Sequence, residues 1–308
     1  MSKKVLVAAP RSFCAGVVRA IDIVEKLLER HGPPIYVRHE IVHNVHVVRD
    51  LESRGAVFVD SEEDVPEGAL VVLSAHGVAP QVYEKCAQRG LQVVDAVCPL
   101  VSKVHAEARR YAAGGHKIAL VGHAGHVEVE GTMGEAPDSI VLVETPEDAR
   151  ALEVEDGRSV AYLTQTTLSL DDTAEVVDAL RDRFPDLVGP PSADICYATQ
   201  NRQDAVKTIC EQTSIVLVVG SKTSSNANRL VEVARSEGAE AHLIDDERDL
   251  DPAWLEGQGS VGLTAGASSP EVLVERVVSR LAELGFDERE DIEIAREDVF
   301  FRLPAELR

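Results

Sequence analysis

Basic residues are scarce in this chain: 31 Lys and Arg stand against 53 Asp and Glu, a formal net charge of −22. A field of that sign repels a phosphate backbone and an anionic membrane surface, so neither nucleic acid nor membrane is expected as a partner. Aromatic residues make up only 4% of the chain, too few for base-stacking platforms. No apolar run approaches the ~20 residues of a membrane span. The N-terminal Lys3 and Lys4 lead into a short apolar run, without the long hydrophobic stretch or small-residue cleavage site of a signal peptide. A cytoplasmic location is the expectation. Cysteines number five, an odd count that argues against a disulfide framework and for metal or redox chemistry. No G-x-G-x-x-G follows the first β-branched run, so a nicotinamide site is not expected either.

What is present is a repeating pattern. The 308 residues are enough for two or three domains of ~100–200 residues each. Short β-branched runs recur: Val5–Ala8, Ile35–Val37, Val71–Leu73, Ile118–Val121, Val160–Leu163, Ile215–Val219 and Val261–Leu263. Each is followed by a Gly-, Ser- or His-rich turn and then a segment with helical spacing, as in Val17, Ile21, Val24 and Leu28. Alternating strands and helices predict an α/β fold with mostly parallel sheets. Cys98 and Cys196 both follow an Asp and precede a helical segment, and Cys14 stands in a similar place; they lie 84 and 98 residues apart. This predicts three α/β units, at 1–97, 98–193 and 194–284, and an acidic tail at 285–308, an edge element or an extension. The Pro- and Gly-rich stretch from Pro185 to Pro191 marks a boundary before the third unit.

Cys14, Cys98 and Cys196 sit in turns beside Pro, Gly or polar residues, which leaves a ligand role and a plain structural role both open. Cys86 and Cys210 each lie four residues after a valine, on what reads as a helix core face. Six segments share a second design, a strand end opening into hydrogen-bond donors: 38–44, 74–77, 122–128, 164–167, 220–226 and 264–269. Ligands of parallel α/β folds bind at the carboxyl ends of strands, where small residues let backbone N–H groups approach an anion. His39-Glu40-Ile41-Val42-His43 matches the H-E-x-x-H zinc pattern, but that pattern works only on a helix. The run follows Ile35-Tyr36-Val37 and is β-branched, so an extended strand is expected, with the histidines ~13 Å apart. His126 and Glu128, two apart in an expected extended turn, point the same way as a proton-delivery pair or a surface contact.

The motifs Phe13-Cys14-Ala15-Gly16-Val17, Ser74-Ala75-His76-Gly77-Val78, Cys98-Pro99-Leu100-Val101, Thr164-Gln165-Thr166-Thr167-Leu168-Ser169, Ile195-Cys196-Tyr197-Ala198-Thr199 and Thr264-Ala265-Gly266-Ala267-Ser268 occur in order. With them the chain closely resembles the 4-hydroxy-3-methylbut-2-enyl diphosphate reductases, which act last in the non-mevalonate isoprenoid pathway. The resemblance runs from about Val5 to Leu284. It implies a trefoil of three α/β units around a 4Fe–4S cluster held by Cys14, Cys98 and Cys196, with the fourth iron lacking a protein thiolate. It implies that His43, His76, Ser224, Ser225, Asn226 and Ser268 hold the diphosphate. Those are mostly neutral donors, which answers the problem that the net charge sets for an anionic substrate. It implies further that His126, Glu128 and Thr166 surround the substrate hydroxyl, Glu128 serving as proton donor. Ferredoxin or flavodoxin is the electron donor by the same analogy.

Three positions depart from the family pattern. Val127 replaces the usual proline, Ser12 a frequent glycine and Ala227 a common serine. Two other classes remain to be weighed. A zinc hydrolase would use the histidine-rich turns, and a non-catalytic iron–sulfur sensor would need no donor-rich strand ends.

Overall fold

A computed structural model describes residues 3–155 and 157–308. The elements run β1 (Lys4–Ala9), α1 (Ala15–His31), β2 (Ile35–Arg38), α2 (Val45–Ser53), β3 (Ala56–Val59), β4 (Leu70–Leu73), α3 (Pro80–Gln88) and β5 (Gln92–Asp95). Next come α4 (Pro99–Ala113), β6 (Lys117–Val121), α5 (Val127–Gly134), β7 (Ile140–Val143), α6 (Pro146–Ala151), β8 (Val160–Thr164) and α7 (Leu170–Arg183). The last part holds α8 (Tyr197–Cys210), β9 (Ile215–Val219), α9 (Ser225–Ser236), β10 (Glu240–Ile244), β11 (Ser260–Ala265), α10 (Glu271–Glu283) and β12 (Glu288–Glu293). The fold is α/β, and every strand pairing among the described residues is parallel.

Among the described residues three sheets form: β10-β9-β11-β1-β12, β3-β2-β4-β5 and β7-β6-β8. The first strand therefore belongs to the sheet of the last third of the chain. One stretch of the tail is an edge strand, because β12 pairs along the whole of β1 from Lys4↔Glu288 to Ala9↔Glu293. Its charged residues suit an edge, where one side of the strand has no neighbour. The residues of 185–191 form a loop in which only Val188 bridges to a strand residue, Ala161.

The described residues divide into two compact units. One comprises 3–18, 43–50 and 197–300 and holds the five-stranded sheet. Its inner strands β9, β11 and β1 are buried on both faces, which is why they read as continuous apolar runs. Val5, Val7, Leu217 and Leu263 pack with Leu273, Val274, Val277 and Leu281 of α10. Ala8, Val216 and Val218 pack with Val206 and Ile209 of α8 and Leu230 and Ala234 of α9. Each such aliphatic side chain taken from water contributes about 1.5–3 kcal/mol. The second unit, 19–42, 51–155, 157–196 and 301–308, holds the other two sheets. There Ile118, Leu120 and Leu163 pack on Val104 and Ala108 of α4, while Val121 and Val160 pack on Val176 and Leu180 of α7.

The segment 39–43 is not the expected strand. β2 stops at Arg38, and His39 takes a left-handed backbone at φ 57°. That conformation breaks the ladder, so the chain bends where β-branched Ile41 and Val42 would otherwise have continued it. Both turn into the core instead, at 0% and 2% exposure.

Candidate functional site

Each of Cys14, Cys98 and Cys196 stands immediately before the first residue of a helix: α1, α4 and α8 respectively. Each is partly buried, and each uses its backbone N–H in the same way. Cys14 donates to the carbonyl of Ala267 at 3.2 Å, Cys98 to Ala75 at 2.9 Å and Cys196 to Thr166 at 3.1 Å. Those three acceptors all lie two residues past the end of a strand, β11, β4 and β8. The loose sequence repeat is thus a real structural repeat, in which a donor-rich strand end pins the backbone of a cysteine. A helix N-terminus favours negative charge, which suits a thiolate ligand. The Asp residues before two of the cysteines shape their loops. Asp95 accepts from the N–H of Val97 at 2.8 Å, and Asp194 accepts from Thr164 N–H at 3.0 Å and pairs with Lys103 at 2.9 Å.

The other two cysteines are structural. Cys86 is fully buried in α3 against Val71 and Leu73, and burial pushes its thiol up. Cys210 ends α8 against a core cluster, and burial pushes it up to about 11. Neither is inclined to supply a thiolate.

In the second unit, Thr166 is joined to Glu128 twice. Its N–H donates to Oε1 at 2.6 Å and its hydroxyl to Oε2 at 2.9 Å. Glu128 is only 3% exposed. Desolvation by burial raises its carboxyl above the ordinary range, against the two Thr166 hydrogen bonds and the nearby His105, which pull it down. A buried carboxyl of this kind tends to carry a proton and can deliver it. The expected extended turn at 126–128 is instead the N-terminus of α5. His126 is its N-cap, and its Nδ1 accepts from the N–H of Glu128 at 3.2 Å. An accepting Nδ1 leaves the proton of a neutral imidazole on Nε2. The imidazole and carboxyl are therefore not a strand-face pair. Val127 is the first residue of α5, a position that proline also suits. His76 lies beside His126, the rings 6.2 Å apart and edge-on, and its Nδ1 is 3.2 Å from the Ser74 hydroxyl.

In the first unit, Ser224 caps α9 by accepting from the N–H of Ala227 at 3.3 Å, with Ser225 and Asn226 in the first turn. Asn226 accepts from Ala267 N–H at 2.8 Å and donates to the Thr199 hydroxyl at 3.4 Å. The Ser268 hydroxyl donates to the carbonyl of His43 at 2.9 Å. Asn226, Ala267 and Cys14 thus form one hydrogen-bonded chain, and Ser268 draws in His43. A helix N-terminus with small hydroxyl side chains is a site for an anion.

Sequence reasoning assigned no role to several residues that hold these loops. Tyr197 accepts through its hydroxyl from the N–H of Ala15 at 3.3 Å, beside Cys14. Ser12 takes φ 59°, a left-handed backbone that glycine adopts more readily, and its hydroxyl donates to Glu271 at 2.6 Å. His105 donates through Nδ1 to Glu135 at 2.7 Å and packs where any side chain at Gly77 would fall. Tyr197 stands inside the motif at 195–199 and Ser12 just before Phe13-Cys14, yet only their distant partners reveal what they hold. Among the described residues, no three His, Cys, Asp or Glu side chains are placed to hold one metal ion. His39 and His43 share no helix.

A family model described as LytB protein matches residues 5–282. A 4-hydroxy-3-methylbut-2-enyl diphosphate reductase from Acidothermus cellulolyticus is 58% identical over 307 residues, covering 99% of this chain and 90% of its own. One from Mycolicibacterium paratuberculosis is also 58% identical, covering 99% and 92%. Among solved structures, the E-1-hydroxy-2-methyl-but-2-enyl-4-diphosphate reductase from Plasmodium falciparum superposes with a TM-score of 0.97 at 40% identity, covering 100% of this chain and 97% of the other.

Proposed function

The chain belongs to the LytB protein family, and from that premise we propose that it removes the allylic hydroxyl of (E)-4-hydroxy-3-methylbut-2-enyl diphosphate reductively. Two electrons and two protons enter; isopentenyl or dimethylallyl diphosphate and one water leave. Cys14, Cys98 and Cys196 hold a 4Fe–4S cluster in this reading, one cysteine from each of the units 1–97, 98–193 and 194–284. The donor set fits the group: three partly buried thiols, each at a helix N-terminus and each with its backbone tied to a strand-end loop. When bound, the cluster supplies the electrons and a Lewis-acid iron without a protein thiolate.

The observation that carries the proposal is the Glu128–Thr166–Cys196 connection. Thr166 holds the buried carboxyl with its N–H and hydroxyl and the Cys196 backbone with its carbonyl. A proton donor is thereby set beside the loop of a thiol ligand. Glu128 delivers a proton to the departing hydroxyl through Thr166, since hydroxide leaves poorly without acid assistance. His126 orients the same group through Nε2. Ser224, Ser225, Asn226, Ser268, His43 and His76 bind the diphosphate, mostly as neutral donors, and fix the chain for reaction. Ferredoxin or flavodoxin supplies the electrons, and the protein works in the cytoplasm; no helix among the described residues is long and apolar enough to cross a membrane.

The test is anaerobic turnover with dithionite and a mediator dye. Formation of both five-carbon diphosphates supports the reading; an unconsumed substrate in the presence of an intact cluster overturns it.

A further inference from the structure

The family match ends at residue 282, yet residues beyond it are built into the loop that presents Cys14. Arg202 of α8 has no exposed surface. Its Nη2 donates to the carbonyls of Ser12 at 2.7 Å and Arg11 at 3.3 Å, and its Nη1 to that of Ala198 at 2.9 Å. Glu297 of the tail meets its charge, with Oε1 2.9 Å from Nη1 and Oε2 3.3 Å from Nη2; Asn201 also donates to Oε1 at 3.0 Å. A guanidinium is a planar fork that reaches carbonyls and a carboxylate together, which an ammonium cannot do. A buried guanidinium without its carboxylate is strongly disfavoured, so Glu297 is what permits Arg202 to lie there.

The loop needs this support. Ser12 holds a left-handed backbone that L-residues avoid. Its hydroxyl and the Arg11 guanidinium both donate to Glu271, each at 2.6 Å. Arg11 also reaches Asp291 of β12 at 3.3 Å, and the N–H of Ile294 continues that ladder to the carbonyl of Ala9 at 3.0 Å. Two residues past Ser12, Cys14 is tied to Ala267.

We propose that β12 and the Glu297 side chain beyond it are a positioning element for Cys14, with Glu297 acting through Arg202 on the carbonyls of Arg11 and Ser12. This rests on Cys14 being a cluster ligand, as read above. Partners behind a metal ligand orient it and govern how firmly the metal is kept.

The experiment compares anaerobically purified holoprotein of wild type, Glu297→Ala, Glu297→Gln, Arg202→Lys and the neighbouring surface variant Arg296→Ala. Iron and sulfide per chain, the electron paramagnetic resonance of the reduced cluster, the rate of visible bleaching in air and the thermal midpoint are measured. Glu297→Ala is expected to bleach about tenfold faster and to show an altered resonance. Glu297→Gln, which keeps one acceptor, falls between, and Arg296→Ala matches wild type. If Glu297→Ala does not fold, Glu297→Gln and Arg202→Lys carry the same expectation. Wild-type resonance and bleaching in the variants, even with a lowered thermal midpoint, make the pair a stabilising contact only and overturn the proposal. A wild-type protein without iron and sulfide instead overturns the ligand reading on which it stands.

Discussion

Thr166 grips Glu128 with both of its local donors, the N–H at 2.6 Å and the hydroxyl at 2.9 Å, while its carbonyl takes the N–H of Cys196. One residue therefore sets the carboxyl and the thiol loop together. Replacing Glu128 by Gln keeps the shape and removes the acid. Turnover is expected to drop about 10²–10⁴-fold with iron content unchanged. Steady-state kinetics with iron analysis checks this, and wild-type turnover in the variant would remove Glu128 from the proton-donor role.

Burial raises Glu128 above the ordinary carboxyl range, and two consequences follow with pH. The acid form is the donor, so kcat falls as pH rises through the raised value, and the Glu128→Gln variant lacks that limb. For stability, the unfolded carboxyl ionises near pH ~4.3 while the folded one still holds its proton. The contribution is fully present below the unfolded value and is lost as pH rises through the folded one. Denaturation of wild type and variant across that window should show Glu128→Gln gaining relative stability as pH rises. Parallel curves would contradict it.

Thr166→Val removes the hydroxyl through which the proton passes, so turnover drops, and the activity that remains reports on Glu128. The hydroxyl's hydrogen bond favours the ionised carboxylate, so its loss moves the alkaline limb of the activity profile to higher pH. Leaving a buried acceptor unmatched costs about 1–3 kcal/mol. A profile at the wild-type position would show that the hydroxyl does not act on Glu128.

The cysteines should divide three to two. Serine at Cys14, Cys98 or Cys196 is expected to abolish cluster assembly. Alanine at Cys86 or Cys210 should keep the cluster and cost about 1 kcal/mol of stability. Iron and sulfide analysis of the five variants decides it.

Asn226→Asp keeps the acceptor for Ala267 and replaces the amide donor by negative charge at the start of α9. KM for the diphosphate should rise about tenfold or more, the scale of a lost charge-assisted hydrogen bond of ~1.5 kcal/mol. An unchanged KM would take Asn226 out of the diphosphate pocket.

Much of this was legible in residues alone. The strands with long β-branched runs, such as Ile215–Val219, stand where their pattern put them, because strands buried on both faces must be apolar throughout. The cysteine repeat was visible as Asp-then-Cys before a helix. What escaped was decided by single backbone positions or by distant partners. His39 turns left-handed and ends β2 early. His126 caps a helix rather than extending a strand. Glu297 meets Arg202 across 95 residues, a pairing that no local spacing records.

The measurement that bears most directly on the central claim is the iron and acid-labile sulfide content of anaerobically purified protein, read together with the Mössbauer spectrum of its iron. The account predicts a four-iron, four-sulfide cluster in which one iron is distinct from the three held by Cys14, Cys98 and Cys196. Zinc without sulfide, or four equivalent irons, would contradict it.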